Sequence, residues 1–184
     1  MHTMNTMPHL WAAAMLLVLA NCNNQNAKPA SSNVSVNPAE VRFTTDAYQI
    51  IEFDRQEGAM ARTQAKNPAV KALSDQLTSQ ANDFAARLGP TAAAASIKLP
   101  SILRNDLRVR LGHMRLQQGK DFDRTYVGDQ IASHEELLRM QGGMNEGTVS
   151  PEFAALMRQG TSLVQENLEK LRAVQPQVGA TPRV

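Results

Sequence analysis

The chain has 184 residues, 19 Lys and Arg against 17 Asp and Glu, a net charge of +2 and only 4% aromatic residues. That suffices for one domain behind a leader, and scarce aromatics with abundant alanine favour helices packed through small side chains over a β-sandwich. Interspersed charges without a basic stripe give no support for nucleic-acid binding, and a single cysteine, Cys22, excludes an internal disulfide and a thiolate metal cluster.

The first element is the apolar run Leu10 to Ala20, "LWAAAMLLVLA". It suits a signal-peptide core and is too short to span a bilayer as a mature helix. "LANC" at Leu19 to Cys22 resembles a bacterial lipobox, in which the cysteine is acylated and becomes the mature N-terminus. Asn21 departs from the small residue usual there, and cleavage after Ala20 is the alternative. Residues 1–21 are therefore expected to be a signal peptide of lipoprotein type, and Cys22 a lipidation site. Residues 22–38, rich in Asn, Ser, Ala and Pro, read as a flexible tether. Either cleavage puts the mature protein outside the cytoplasm, in the periplasm and anchored to the outer membrane if acylated.

Residues 39–176 read as helices. The first, from about Pro38 or Thr45 to Lys66, aligns Ala47, Ile51, Asp54, Gly58, Ala61 and Ala65 on one face. Asn67 and Pro68 close it and cap the next. The second places Val70, Leu73, Leu77, Gln80, Phe84 and Leu88 together and is expected to stop at Gly89–Pro90. A shorter helix follows with Leu103, Leu107, Leu111 and Met114 in line. The next starts near Asp121 and carries Val127, Ile131, His134 and Leu138. The last opens with "SPE" at Ser150 to Glu152 and aligns Phe153, Leu156, Gly160, Leu163, Asn167, Leu171 and Val174. Residues 177–184 read as a disordered tail. No segment alternates at period two, so the expected fold is all-α, a four-helix bundle with one additional short helix.

Three motifs carry a family resemblance: "NPAVK" at Asn67 to Lys71, "LP" at Leu99–Pro100, and "FDRTY" at Phe122 to Tyr126 followed by His134. With them the chain resembles the bacterial domain-of-unknown-function 4142 family of outer-membrane and periplasmic proteins. The resemblance implies a ferritin-like bundle over roughly Thr44 to Val174, and no established activity. That family usually has an acidic pair before a glycine in the first helix, Asp-His in the second and in the "FD" helix, and a histidine in the last. Here Asp54 and Gln56 precede Gly58, Ser79 and Gln80 stand for Asp-His, Ser133 precedes His134, and Asn167 takes the last place. Three candidate ligand positions have lost imidazole or carboxylate.

Asp54, Gln80, His134 and Asn167 each sit between apolar neighbours on an inward face. Asp54 and Gln80 lie equally far from the Asn67 turn and are expected at one height; His134 and Asn167 are expected to differ by about 13 Å. Buried polar groups must be satisfied, so a core polar network is the leading expectation, with a neutral His134 donating to Asp54 as the specific pair. The alternative is a single weakly bound transition metal on Asp54, Glu57 and His134, with a weak metal-binding or redox-protective role; a di-iron site would need Glu-x-x-His pairs that are missing. No catalytic triad, phosphate loop or zincin motif is present, so no enzymatic activity and no cofactor are expected. A further alternative uses Arg104, Arg108, Arg110 and Arg115 as a membrane-surface module. The leading functional expectation is a non-enzymatic envelope protein that binds or supports an envelope protein or ligand, with a degenerate ferritin-like metal site.

Overall fold

The computed structural model describes residues 37–179, and within them the chain is all-α. Three helices begin on the same device, a capping side chain followed by proline. α1 spans Pro38–Gln64, with Asn37 accepting from the Ala39 amide. α2 spans Pro68–Ala94, with Asn67 accepting from the Ala69 amide at 2.8 Å. α5 spans Pro151–Val178, with Ser150 accepting from the Phe153 amide. In each, the cap satisfies an orphan N–H and proline occupies a position whose N–H has no intrahelical acceptor. α3 (Asn105–Arg115) and α4 (Gly119–Gly142) lack side-chain caps.

The four long helices form a ring, α1 against α2 and α4, and α5 against α4 and α2. α1 and α2 make one antiparallel hairpin, α4 and α5 the other. The crossover between them contains α3, which runs beside α1 and also touches α4. Apolar side chains fill both ends. One cluster gathers Leu73, Leu77, Met114, Phe122, Tyr126 and Leu171; the other gathers Phe43, Ile50, Leu137, Phe153, Met157 and Leu168. Both are what a bundle with inward 3–4 periodicity must bury.

Several expectations are corrected here. α2 does not stop at Gly89–Pro90 but passes through Pro90 to Ala94. The run of alanines after it propagates helix well, and Ala92 is buried. The stop is Ser96, at φ 56°, with the Ile97 amide donating to the Ala92 carbonyl and the Ser96 amide to that of Ala93. This is a Schellman ending built on a residue other than glycine. α5 likewise continues past Pro176 to Val178, two residues beyond the expected boundary. α4 opens at Gly119, whose φ of 62° turns the chain out of α3. Finally, the inner face of α4 is Tyr126, Val127, Gln130, Ser133, His134 and Leu137, whereas Ile131 and Leu138 are only partly buried. A phase chosen mainly on apolar residues is rotated by one position, because three inward positions of α4, Gln130, Ser133 and His134, are polar.

Candidate functional site

Between the two apolar clusters lies a belt of polar side chains at mid-height. α1 contributes Asp54 and Glu57, α4 contributes Gln130, Ser133 and His134, and α5 contributes Asn167. All are buried, Glu57 and Gln130 completely. The hub is Gln130. Its amide nitrogen donates to Asp54 Oδ1 at 3.0 Å and to Glu57 Oε2 at 2.9 Å, so one side chain on α4 clamps two carboxyls one turn apart on α1. Gly58 follows Glu57 because α2 approaches α1 closely there. A Cβ at that position would collide with Thr78 Oγ1, which is fixed by donating to the Ser74 carbonyl at 2.7 Å.

His134 is held in one tautomer. Its Nδ1 lies 2.8 Å from the Gln130 carbonyl oxygen, which can only accept, so Nδ1 carries the hydrogen. Nε2 then accepts from Asn167 Nδ2 at 3.4 Å. Burial pushes the imidazole pKa down to about 4, the backbone hydrogen bond opposing only in part, and the ring is neutral at pH 7. Burial also pushes Asp54 up to about 8, against the hydrogen bond from Gln130 and the Arg110 charge. Glu57 rises well above the carboxylate range for the same reason, reinforced by the nearby Asp129 charge. Tyr126, completely buried one turn before Gln130, has its phenol raised by burial and by the two acids. The belt is thus an array of neutral groups joined through Gln130 and His134, while Glu57 Oε1, Tyr126 Oη, Gln130 Oε1, Ser133 Oγ and Asn167 Oδ1 have no protein partner.

The expected site residues fall into place unevenly. Asp54, Gln80, His134 and Asn167 do share one cavity of about 50 Å³, with room for up to about three waters. Gln80, however, is only half-buried and makes no hydrogen bond to Asp54. The expected His134–Asp54 pair is corrected: Gln130 stands in the histidine's place beside Asp54. The expected height difference between His134 and Asn167 is corrected as well, since the two side chains touch. α5 is staggered against α4 by about two turns, and Gln141, near the end of α4, bonds to Met157 and Thr161 well inside α5. Gln56, at the family's second acid position, points sideways to Glu52, and Glu57 is the acid turned inward.

The metal set Asp54, Glu57 and His134 is corrected too. Among the described residues, no three His, Cys, Asp or Glu side chains gather as a metal site. The gap between the two carboxyls is filled by an amide NH₂ that donates to both, and both imidazole nitrogens of His134 are engaged. Donors where a cation would need acceptors do not fit a metal. Cys22, expected from the sequence to be lipidated, lies outside the described residues.

Two buried residues carry weight that the sequence did not reveal. Asp123 accepts the Lys66 amide at 2.9 Å and the Asn67 amide at 2.8 Å, tying the start of α4 to the α1–α2 turn. The "FD" and "NP" motifs are thus two halves of one contact. Gln130 is the second; its spacing of four from both Tyr126 and His134 was the available signal.

A closed bundle whose core is crossed by a neutral polar belt is the class of molecule that fold and site define. The chain belongs to the family described as Domain of unknown function (DUF4142), whose model matches residues 25–174. No curated protein matches the sequence. Among solved structures it is similar to the crystal structure of a DUF305 fragment from Deinococcus radiodurans, at 13% identity and a TM-score of 0.69, covering 77% of this chain and 98% of that one. At that identity the likeness speaks to fold alone.

Proposed function

We propose that the protein is a non-enzymatic helical-bundle module of the bacterial cell envelope, exported to the periplasm, held to the outer membrane by an acylated Cys22, and acting by binding or support. The observation that carries the non-enzymatic part is the Gln130 clamp. It ties the two acids to one amide donor deep in the core, and a neutral His134 is held between a backbone carbonyl and Asn167. Catalytic acids, bases and metal ligands must meet a substrate or solvent, and every member of this belt is buried between the helices. Its role is register: hydrogen bonds between α1, α4 and α5 that form in one alignment of the helices. The apolar run ending at Ala20, followed by a lone cysteine, supports the envelope part.

The test is metal content and metal-induced thermal shift of the purified protein with iron, manganese and zinc offered in turn. The expected result is background metal and no shift. Stoichiometric metal that disappears in His134→Ala would overturn this reading in favour of a metal-binding or redox role. Incorporation of labelled acyl chains by the wild type, and its loss in Cys22→Ser, tests the anchor.

A further inference from the structure

The exposed large apolar side chains of the described residues fall on one short stretch: Ile102, Val109 and Leu116, exposed by 70%, 62% and 85%. They recur every seven residues. On a helix that spacing returns to within about 20° of the same direction, so Val109 and Leu116 share the outer line of α3, opposite the buried Leu107, Leu111 and Met114. Ile102 is exposed in the turn just before the helix.

This exposure is built into the fold. At the start of α3, the buried Gln49 donates to the Ile102 carbonyl at 2.9 Å and accepts the Arg104 amide at 2.8 Å. At its end, Gln64 donates to the carbonyls of Arg115 and Gln117, either side of Leu116, at 3.1 Å each. Two glutamines of α1 thus hold both ends of the apolar line in place. A segment fixed this way cannot fold its apolar side chains back onto the core.

The charges sort by flank. Arg104 pairs with Glu136 and Asp106, and Arg110 pairs with Asp129 while lying over the Phe53 ring. Both are occupied within the molecule. Arg108 bonds only the neutral Asn105 side chain, and no acid lies within ion-pair distance of Arg108 or Arg115 among the described residues. They flank the apolar line on one side. Asp106, the acid of this helix, lies on the other flank, where it shares Arg104 with Glu136; His113 is exposed near the line.

We infer that the outer face of α3 docks on an anionic lipid surface, with Ile102, Val109 and Leu116 entering the headgroup boundary and Arg108 and Arg115 meeting lipid phosphates. A short apolar line beside uncommitted arginines is the composition of a helix lying in a membrane interface. The inference deepens the envelope reading and rests on it for which membrane is met. About 15 residues separate Cys22 from Asn37, and a chain of that length reaches at most roughly 50 Å. An anchor at Cys22 would therefore keep α3 within range of the bilayer that holds it.

The experiment uses the full chain carrying Cys22→Ser, with one new cysteine at Val109 labelled by an environment-sensitive fluorophore. The same label at Ser79, exposed on α2, is the control. Vesicles of phosphatidylcholine are offered with and without phosphatidylglycerol. The expected result is a blue shift at position 109 alone, dependent on phosphatidylglycerol, reversed by salt, and weakened about ten-fold or more in half-saturating lipid by Arg108→Glu with Arg115→Glu. Ile102→Ser with Leu116→Ser should weaken it similarly while leaving the thermal melt unchanged. Three results would overturn the inference. One is a silent label at 109 on protein that still sediments with vesicles, meaning the leader alone binds. Another is no response in either preparation. The third is a shift that grows with protein concentration without lipid, which would assign the face to a second copy. Because Cys22 is absent, none of these depends on whether the wild type is acylated.

Discussion

At the residue scale the belt couples stability to pH through opposite signs. Asp54 ordinarily titrates at 3.8 and is raised to about 8. Between those values the folded protein keeps a proton that the unfolded chain has released, so stability falls as pH rises through that interval and the contribution is gone above 8. Glu57 acts in the same direction from its ordinary 4.5 upward. His134 is lowered from 6.5 to about 4, so its contribution is complete above 6.5 and is lost as pH falls toward 4. From about 4.5 to 6.5 the histidine offsets one of the two carboxyls; above 6.5 both act unopposed. Glu57→Gln, and separately Asp54→Asn, should therefore flatten the alkaline decline. Either should raise the melting temperature at pH 9 by about 3 °C or more, near 1 kcal/mol for a domain of this size. Melting curves across pH for wild type and variants check this. A variant curve parallel to the wild type through the alkaline range would mean that the carboxyls are not buried as described. Much of this was legible beforehand, since Asp54, His134 and Asn167 had inward phase in the sequence. Their partners were not. Whether His134 faces Asp54 or its own turn depends on how two helices rotate against each other, and the apolar pattern of α4 pointed one position away from its true inner face.

At the element scale the short motifs acquire partners. Asp123 satisfies two backbone amides at the α1–α2 turn, and the residue is 2% exposed. Hydrogen bonds to a charged acceptor contribute more than neutral ones, and removing the acceptor leaves both donors unmatched. Asp123→Ala should cost about 2–4 kcal/mol in urea unfolding. Asp123→Asn, which keeps one acceptor oxygen, should cost less. The α1–α2 contact makes a second case. Gly58 lies inside a helix, where alanine is intrinsically better by about 1 kcal/mol. Here Gly58→Ala should destabilise, because the new methyl meets Thr78 Oγ1. Thr78→Ala, which removes that atom, should restore most of the loss in the double variant. Two additive single effects would show that the helices do not touch at this pair. Helix starts were readable because Asn-Pro and Ser-Pro act locally. The end of α2 was not. Gly89–Pro90 looked like a stop, but the helix continues through it, with Leu88 and Ala92 buried either side.

At the scale of the whole molecule the bundle is two hairpins joined through a crossover, with apolar packing above and below a polar layer. Such a layer contributes alignment more than stability, because desolvating the carboxyls offsets much of what their hydrogen bonds return. Replacing Asp54, Glu57 and Gln130 together by Leu, Met and Leu should leave the urea midpoint equal or higher while broadening the amide resonances of α4, as sliding of that helix becomes possible. Loss of folding in that triple variant would show that the belt is needed for stability outright. The same division of labour appears on the outside. The arginines from Arg104 to Arg115 read in sequence as one basic face, yet Arg104 and Arg110 are spent on internal acids and only Arg108 and Arg115 are left to face outward.

By itself the sequence determined the all-α class, the helix starts, the apolar ends of the bundle and the presence of polar residues at its centre. These follow from 3.6-residue periodicity and capping chemistry, which act over a few neighbouring residues. Tertiary structure alone decided which polar groups meet, the two-turn stagger that brings Asn167 to His134, the joining of Asp123 to the Asn67 turn, and which arginines remain uncommitted. Each depends on the rotation and axial offset of one helix against another. Those offsets are set by the packing of all the helices at once, and no local pattern encodes them.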